Sequence, residues 1–190
     1  MGRWQPDALG RLQQAALELY GERGFEPTTV ADIAERAGLT ERTFFRYFAD
    51  KREVLFWGSG DLQALFVNAV AEAPDSASPL EAVSAALEAA SGFFEDRRAH
   101  ARRRQAVIAA NPSLQERELI KMASLSAAVA EALRGRGVGE PAAMLTAEAG
   151  IAVFKVGFEL WVDEANDRTF AEVMRDALAD LKAVMAGGGH

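Results

Sequence analysis

Residues 28–51 read TTVADIAERAGLTERTFFRYFADK, and the reading of this stretch decides the fold. Val30, Ile33, Ala34 and Ala37 recur at three- and four-residue spacing, which gathers side chains on one face of an α-helix. Thr29 stands at the N-cap position, and Asp32 three residues on completes a capping-box-like pair. Gly38 supplies the tight turn, and Thr40 opens a second short helix that runs to about Tyr47. Phe44 and Phe48, four apart, belong with Leu39 to the buried side of that helix. Glu41, Arg42, Thr43, Phe45, Arg46 and Tyr47 are left facing outward. Two short helices around a tight turn have the anatomy of a helix-turn-helix. The outward residue types suit a major groove, since arginine bonds guanine bidentately, threonine offers a hydroxyl and a methyl, and tyrosine reaches phosphate. Lys51, after a capping Asp50 at the start of the next helix, is placed to meet a phosphate.

Outward from this motif the same helical spacing continues, and no run alternates over the length of a strand. The expected fold is all-α with about nine helices. The first runs from about Asp7 to Arg23 and stops at Gly24; the next two form the motif; a fourth covers about 51–72. After the loop at 74–79 come helices at about 80–96, 99–110 and 113–133. A Gly-rich loop at 134–139 leads to two long helices, at about 141–164 and 168–186.

Composition narrows the chemistry. Hydrophobic residues make up 49% of the 190 and charged ones 26%, a globular balance, and 38 alanines favour helix. There is no cysteine, and His100 and His190 are the two histidines, so neither a thiolate nor a His-rich metal set is expected. An enzyme would need His100 as a base beside Glu95 or Asp96; neighbouring arginines and the lack of a nucleophile or cofactor motif disfavour it. Neither catalytic residues nor a cofactor are therefore expected. With no signal-peptide pattern and no run of 18 apolar residues, a cytoplasmic protein without a membrane partner is expected. The net charge of −7 argues against indiscriminate nucleic-acid binding, yet residues 36–52 hold five basic side chains against Glu41 and Asp50.

From about Leu9 to Leu55 the chain resembles the DNA-binding domain of the TetR/AcrR family of bacterial transcriptional regulators. The resemblance rests on Ala15-Ala16, Leu19, Gly24-Phe25, Thr28-Thr29-Val30, Ile33-Ala34, Ala37-Gly38-Leu39, Phe44-Phe45-Arg46-Tyr47-Phe48 and Lys51. It implies a three-helix DNA-binding domain at 1–52 and a ligand-binding and dimerisation domain at 53–190. The implied DNA contacts are Thr40, Arg42, Thr43, Phe45, Arg46, Tyr47 and Lys51, with Thr28 and Thr29 at the backbone. Position 45 departs from the family in being Phe where Tyr is common, and Glu41 either reads cytosine or pairs with Arg42. The implied function is a ligand-responsive regulator, a repressor released from a double-stranded operator and located with the nucleoid. A helical small-molecule-binding protein that never touches DNA is the alternative.

Beyond the motif the readings stay broader. Phe66, Phe94, Arg104, Met122, Phe154 and Phe158 are the candidate effector-binding residues, aromatic and Met linings suiting an apolar or amphipathic ligand. Residues 109–119 are similar to the effector domain of mycofactocin-type regulators, which implies an acyl-CoA as a ligand class. The basic run Arg97, Arg98, Arg102, Arg103 and Arg104 reads as a solvated face or as an anion site. Ala147, Ile151, Phe154, Phe158 and Trp161 form a stripe, as do Phe170, Val173, Met174, Ala177, Leu181 and Val184. Either these are intrachain core, or the two helices pair with their copies in a homodimer, the preferred reading. Arg3 and Trp4 belong to a leader or a minor-groove arm.

Overall fold

The computed structural model describes residues 7–187, and the expectations placed on Arg3, Trp4 and His190 lie outside them. Among the described residues there are ten helices and no strand: α1 (Ala8–Arg23), α2 (Val30–Arg36), α3 (Glu41–Tyr47), α4 (Glu53–Phe56), α5 (Ser59–Glu72), α6 (Pro79–Phe94), α7 (Arg98–Ala109), α8 (Pro112–Gly135), α9 (Ala142–Val162) and α10 (Phe170–Met185). The fourth helix expected over 51–72 is two helices. Trp57 is extended and Gly58 adopts φ +85°, a left-handed conformation that only glycine takes at little cost, so the chain breaks there. The stretch Glu53–Glu72 has a mean hydropathy of 1.2, long and apolar enough to cross a membrane by composition alone. The break interrupts it, and Val54, Leu55, Phe56, Leu62, Phe66 and Val70 are spent in protein cores.

Two compact units share the chain. One comprises residues up to Trp57 together with Arg103–Glu118; the other comprises Gly58–Arg102 and residues from Leu119 on. The division by contact therefore differs from a boundary drawn at residue 52, because Val107, Ile108 and Leu114 join the core of Leu12, Leu19, Ile33, Phe44 and Phe56.

In the second unit, α6, α9 and α10 build a core around Leu87, Val83, Phe154, Trp161, Phe170 and Met174. Helix caps set its corners: Ser78 with Glu81 and Thr169 with Glu172 form capping boxes at α6 and α10. The α9 stripe of Ala147, Ile151, Phe154, Phe158 and Trp161 lies in this intrachain core, as do Phe170, Val173 and Met174 of α10. Of the two readings of these stripes, intrachain core is the one their burial supports. α9 is apolar on a second face as well, so periodicity alone does not decide which face turns inward.

Close approach along α9 requires glycine. A Cβ at Gly150 would stand 2.3 Å from Val83 Cγ1, whereas one at Gly157 would crowd only the flexible end of Met174 and touch Ala177 at an ordinary 3.7 Å. Gly150→Ala is expected to destabilise the protein by about 1–3 kcal/mol through overpacking. Gly92→Ala, in α6 with nothing within 4 Å of its Cβ, should be neutral or slightly stabilising. Thermal unfolding of both variants checks this contrast.

Candidate nucleic-acid interface

The motif is assembled by caps and by α1. Thr29 Oγ1 accepts from the Asp32 N–H at 3.1 Å, and Asp32 Oδ2 takes the Thr29 N–H at 2.9 Å and its hydroxyl at 2.7 Å. These bonds from Thr29, with Arg23 nearby, hold the Asp32 carboxyl below its ordinary value of 3.8. The turn after α2 is pinned by Arg11 of α1, whose guanidinium donates to the Ala37 and Gly38 carbonyls. Gly38 has φ +64°, a left-handed conformation that favours glycine, and a Cβ there would displace the tip of Arg11, 2.8 Å away. Thr40 caps α3 by accepting from the Thr43 N–H at 3.2 Å, and the two threonine hydroxyls lie 3.0 Å apart.

α3 buries Phe44 completely and leaves Glu41, Arg42, Phe45 and Arg46 exposed, with Thr43 and Tyr47 half-buried. Phe45 is 55% exposed and leans edge-on against Phe44, ring centroids 5.5 Å apart. Arg46 donates to the Tyr47 hydroxyl at 2.9 Å and stands 4.8 Å from its ring centroid, a fixed pose for both side chains. Arg42 and Glu41 make no side-chain hydrogen bond or ion pair with any described residue, so the Glu41–Arg42 pairing expected as an alternative is not formed.

Two expected contacts are corrected. Thr28 is 0% exposed and its hydroxyl donates to the Gly24 carbonyl at 2.8 Å, so its side chain does not reach the surface. Lys51 precedes α4 instead of lying within it. Its ammonium donates to the carbonyls of Phe25, Glu26 and Thr28 at 2.9, 2.9 and 3.0 Å, and it sits 4.4 Å from the Phe25 ring centroid. An ammonium has three donors, and all three are committed. The carbonyl of Lys51 itself accepts the Tyr20 hydroxyl at 2.6 Å. Burial, with Asp50 adding to it, pushes that phenol well above its ordinary value, so Tyr20 stays a donor.

The basic excess of residues 36–52 thins out in the same way. Arg36 forks onto Glu22 at 2.8 and 2.9 Å and also reaches Glu18; these bonds hold Glu22 below the usual carboxylate range. Arg52 pairs with Asp50 at 2.7 Å. Desolvation would raise Asp50, but the Arg52 side chain and the N–H groups of Glu53 and Arg52 outweigh it and bring the carboxyl down. Arg42 and Arg46 remain as the cations of this stretch that neither a described carboxylate nor a described backbone carbonyl engages.

The expected effector residues separate into two groups. Phe66, Phe94, Phe154 and Phe158 join Trp161 and Phe170 in one ring cluster, with Phe94 stacked on Phe170 at 4.9 Å and 5.5 Å from Phe158. Met122 packs partly buried against the same core. Arg104 does not join them. Its Nε donates to the Leu55 carbonyl at 2.6 Å, its terminal nitrogens fork onto Glu118, and it belongs to the other compact unit. Arg98 and Arg102 are likewise committed, to the carbonyls of Val162 and Asp163 at the end of α9 and of Asn166 and Arg168 in the loop that follows. Their roles cap a helix C-terminus, which discounts the anion-site reading for these two. Among the described residues no three His, Asp or Glu side chains gather as metal ligands.

Residues 12–56 match the model of the bacterial regulatory proteins of the tetR family, and residues 77–186 match that of the MftR C-terminal domain. The chain belongs to the TetR family. MftR of Mycobacterium tuberculosis, named for the regulation of mycofactocin biosynthesis, is 30% identical over 141 residues, 74% of this chain and 71% of that protein. The HTH-type transcriptional regulator TcmR of Streptomyces glaucescens is 40% identical over 86 residues, 45% of this chain and 38% of TcmR. A TetR-family regulator from Mesorhizobium loti MAFF303099 superposes with a TM-score of 0.59 at 20% identity, covering 95% of this chain and 96% of its own, a likeness of fold.

Three features of this TetR-family chain are absent from the sequence reading. Arg117 pairs with Glu53 at 2.8 Å, while the Glu53 N–H donates to Asp50 Oδ1 at 3.1 Å. The Lys51 clamp is the second. The third is an exposed apolar line on α9, Leu145, Val156 and Leu160, which its spacing could have flagged as a second face.

Lys51→Met should destabilise the protein by about 1–3 kcal/mol, since the three loop carbonyls lose charged donors; chemical denaturation measures this. The pH dependence has a definite sign. Asp32 has a folded value below its unfolded one, so its stabilisation is present above about 3.8 and is lost as pH falls through the lower folded value. Asp32→Asn should flatten the acid limb of a melting-temperature profile.

Proposed function

We propose that this TetR-family transcriptional regulator is a repressor, bound as a homodimer to a double-stranded operator and released by a small apolar or amphipathic effector. The observation that carries the DNA half of this reading is the outward face of α3. There Arg42 and Arg46 are the uncompensated cations, and Thr40, Glu41, Thr43, Phe45 and Tyr47 supply the remaining groups. Arg42 is the base-reading residue, its fork free to bond guanine. Arg46, held by Tyr47, contacts phosphate, and Thr29 at the start of α2 lies at the backbone. Lys51 and Thr28 act behind this face by shaping it.

Two such helices reach successive major grooves when their separation is roughly 34–36 Å, which a two-fold dimer provides. The dimer contact is assigned to the exposed apolar line of Leu145, Val156 and Leu160 on α9, with Val184 and Met185 of α10 adding to it. The effector site is assigned to the ring cluster around Phe94, Phe154 and Phe158, a lining that suits an apolar chain or ring. An acyl-CoA is the candidate class suggested by the MftR-type C-terminal domain. Release requires that the effector favour the form that binds DNA less well. Such a regulator works in the cytoplasm, on the nucleoid.

Arg42→Ala should cost about 1–3 kcal/mol on the preferred operator and relax preference at one base pair. Arg46→Ala should weaken all sequences alike and reduce the salt slope by about one. Equal losses on every sequence for both variants would overturn these roles; salt titrations on specific and scrambled duplexes distinguish the outcomes. Val156→Glu should shift the protein toward monomer in sedimentation velocity and weaken operator binding in parallel.

A further inference from the structure

We propose that Phe45 is a specificity-determining residue that reads the 5-methyl group of a thymine in the operator's major groove. The inference rests on α3 being the DNA-reading helix. Phe45 is a large apolar side chain left 55% exposed on a face otherwise made of charged and hydroxyl-bearing residues. It has no hydroxyl with which to bond a phosphate. Its neighbours are Arg46, one residue on, and Arg42, three residues back on the same face, two exposed cations that no described carboxylate neutralises. The surface around the ring is therefore complementary to a polyanion. In a major groove the apolar feature displayed by the base edges is the thymine methyl, and phenylalanine is one of the side chains that meets it.

The ring is also held ready. Its edge contact with the fully buried Phe44, at 5.5 Å and an interplanar angle of 82°, ties its root to the core and leaves its far side open. A side chain with two rotatable angles, one side already restrained, loses little freedom on contact. Arg42 and Phe45 lie about one helical turn apart, so a guanine read by the first and a thymine read by the second are expected close together in each half-site.

The test uses the full chain and duplexes enriched by it from a randomised pool. Each thymine of the enriched half-site is then replaced by uracil, which deletes the methyl and leaves the pairing edge unchanged. The expected result is one position per half-site at which uracil weakens wild-type binding about fourfold, the worth of one buried carbon. Phe45→Ala should bind thymine and uracil duplexes equally at that position, while Phe45→Leu keeps part of the discrimination. Circular dichroism of both variants reports whether the exposed substitution leaves the fold intact, and the wild-type uracil series stands without them. An equal uracil cost in wild type and Phe45→Ala, or no uracil effect anywhere beside an Arg42-dependent base preference, overturns the role of Phe45 alone. Failure to enrich any sequence overturns the DNA reading of α3 and this inference with it.

Discussion

The ammonium of Lys51 gathers three carbonyls of the loop between α1 and α2, and the reading head is organised around that point. Loop carbonyls facing one another repel; one charged group with three donors turns them into ligands. The same residue anchors Tyr20 through its own carbonyl, so α1, the loop and the chain leaving α3 meet at one residue. Thr28 is buried beside this point, its hydroxyl bonded to the Gly24 carbonyl. Thr29, next in line, is thereby presented as the cap that starts α2. A residue whose position suggests a DNA contact is thus bonded into the loop behind α2.

That substitution of roles explains what was legible in the sequence. The helix-turn-helix was readable because local rules govern it: the Thr29–Asp32 box, the left-handed Gly38 and the Phe44–Phe48 spacing depend on residues a few positions apart. The break at Gly58 was hidden because apolar residues continue across it, and periodicity does not register a single left-handed residue. Charged side chains were the least legible group. Arg36, Lys51, Arg98, Arg102 and Arg104 each find carbonyls or carboxylates brought up from distant sequence, and no local pattern announces such partners.

α9 was ambiguous for a different reason. Its inward stripe and its outward line of Leu145, Val156 and Leu160 both repeat with helical spacing, so a helix apolar on two faces carries two valid readings. Burial within one chain selects the first for the core. The second face is left exposed.

The approach of Val83 to Gly150 makes the volume at these two positions a joint quantity. A methyl added on α9 has to be removed from α6, so neither site drifts independently. Among relatives that keep this helix pair, the two positions should exchange size in opposite directions, a small residue at one accompanying a larger one at the other. Replacing the pair together is therefore a route to moving bulk within the core of the second unit without moving its helices.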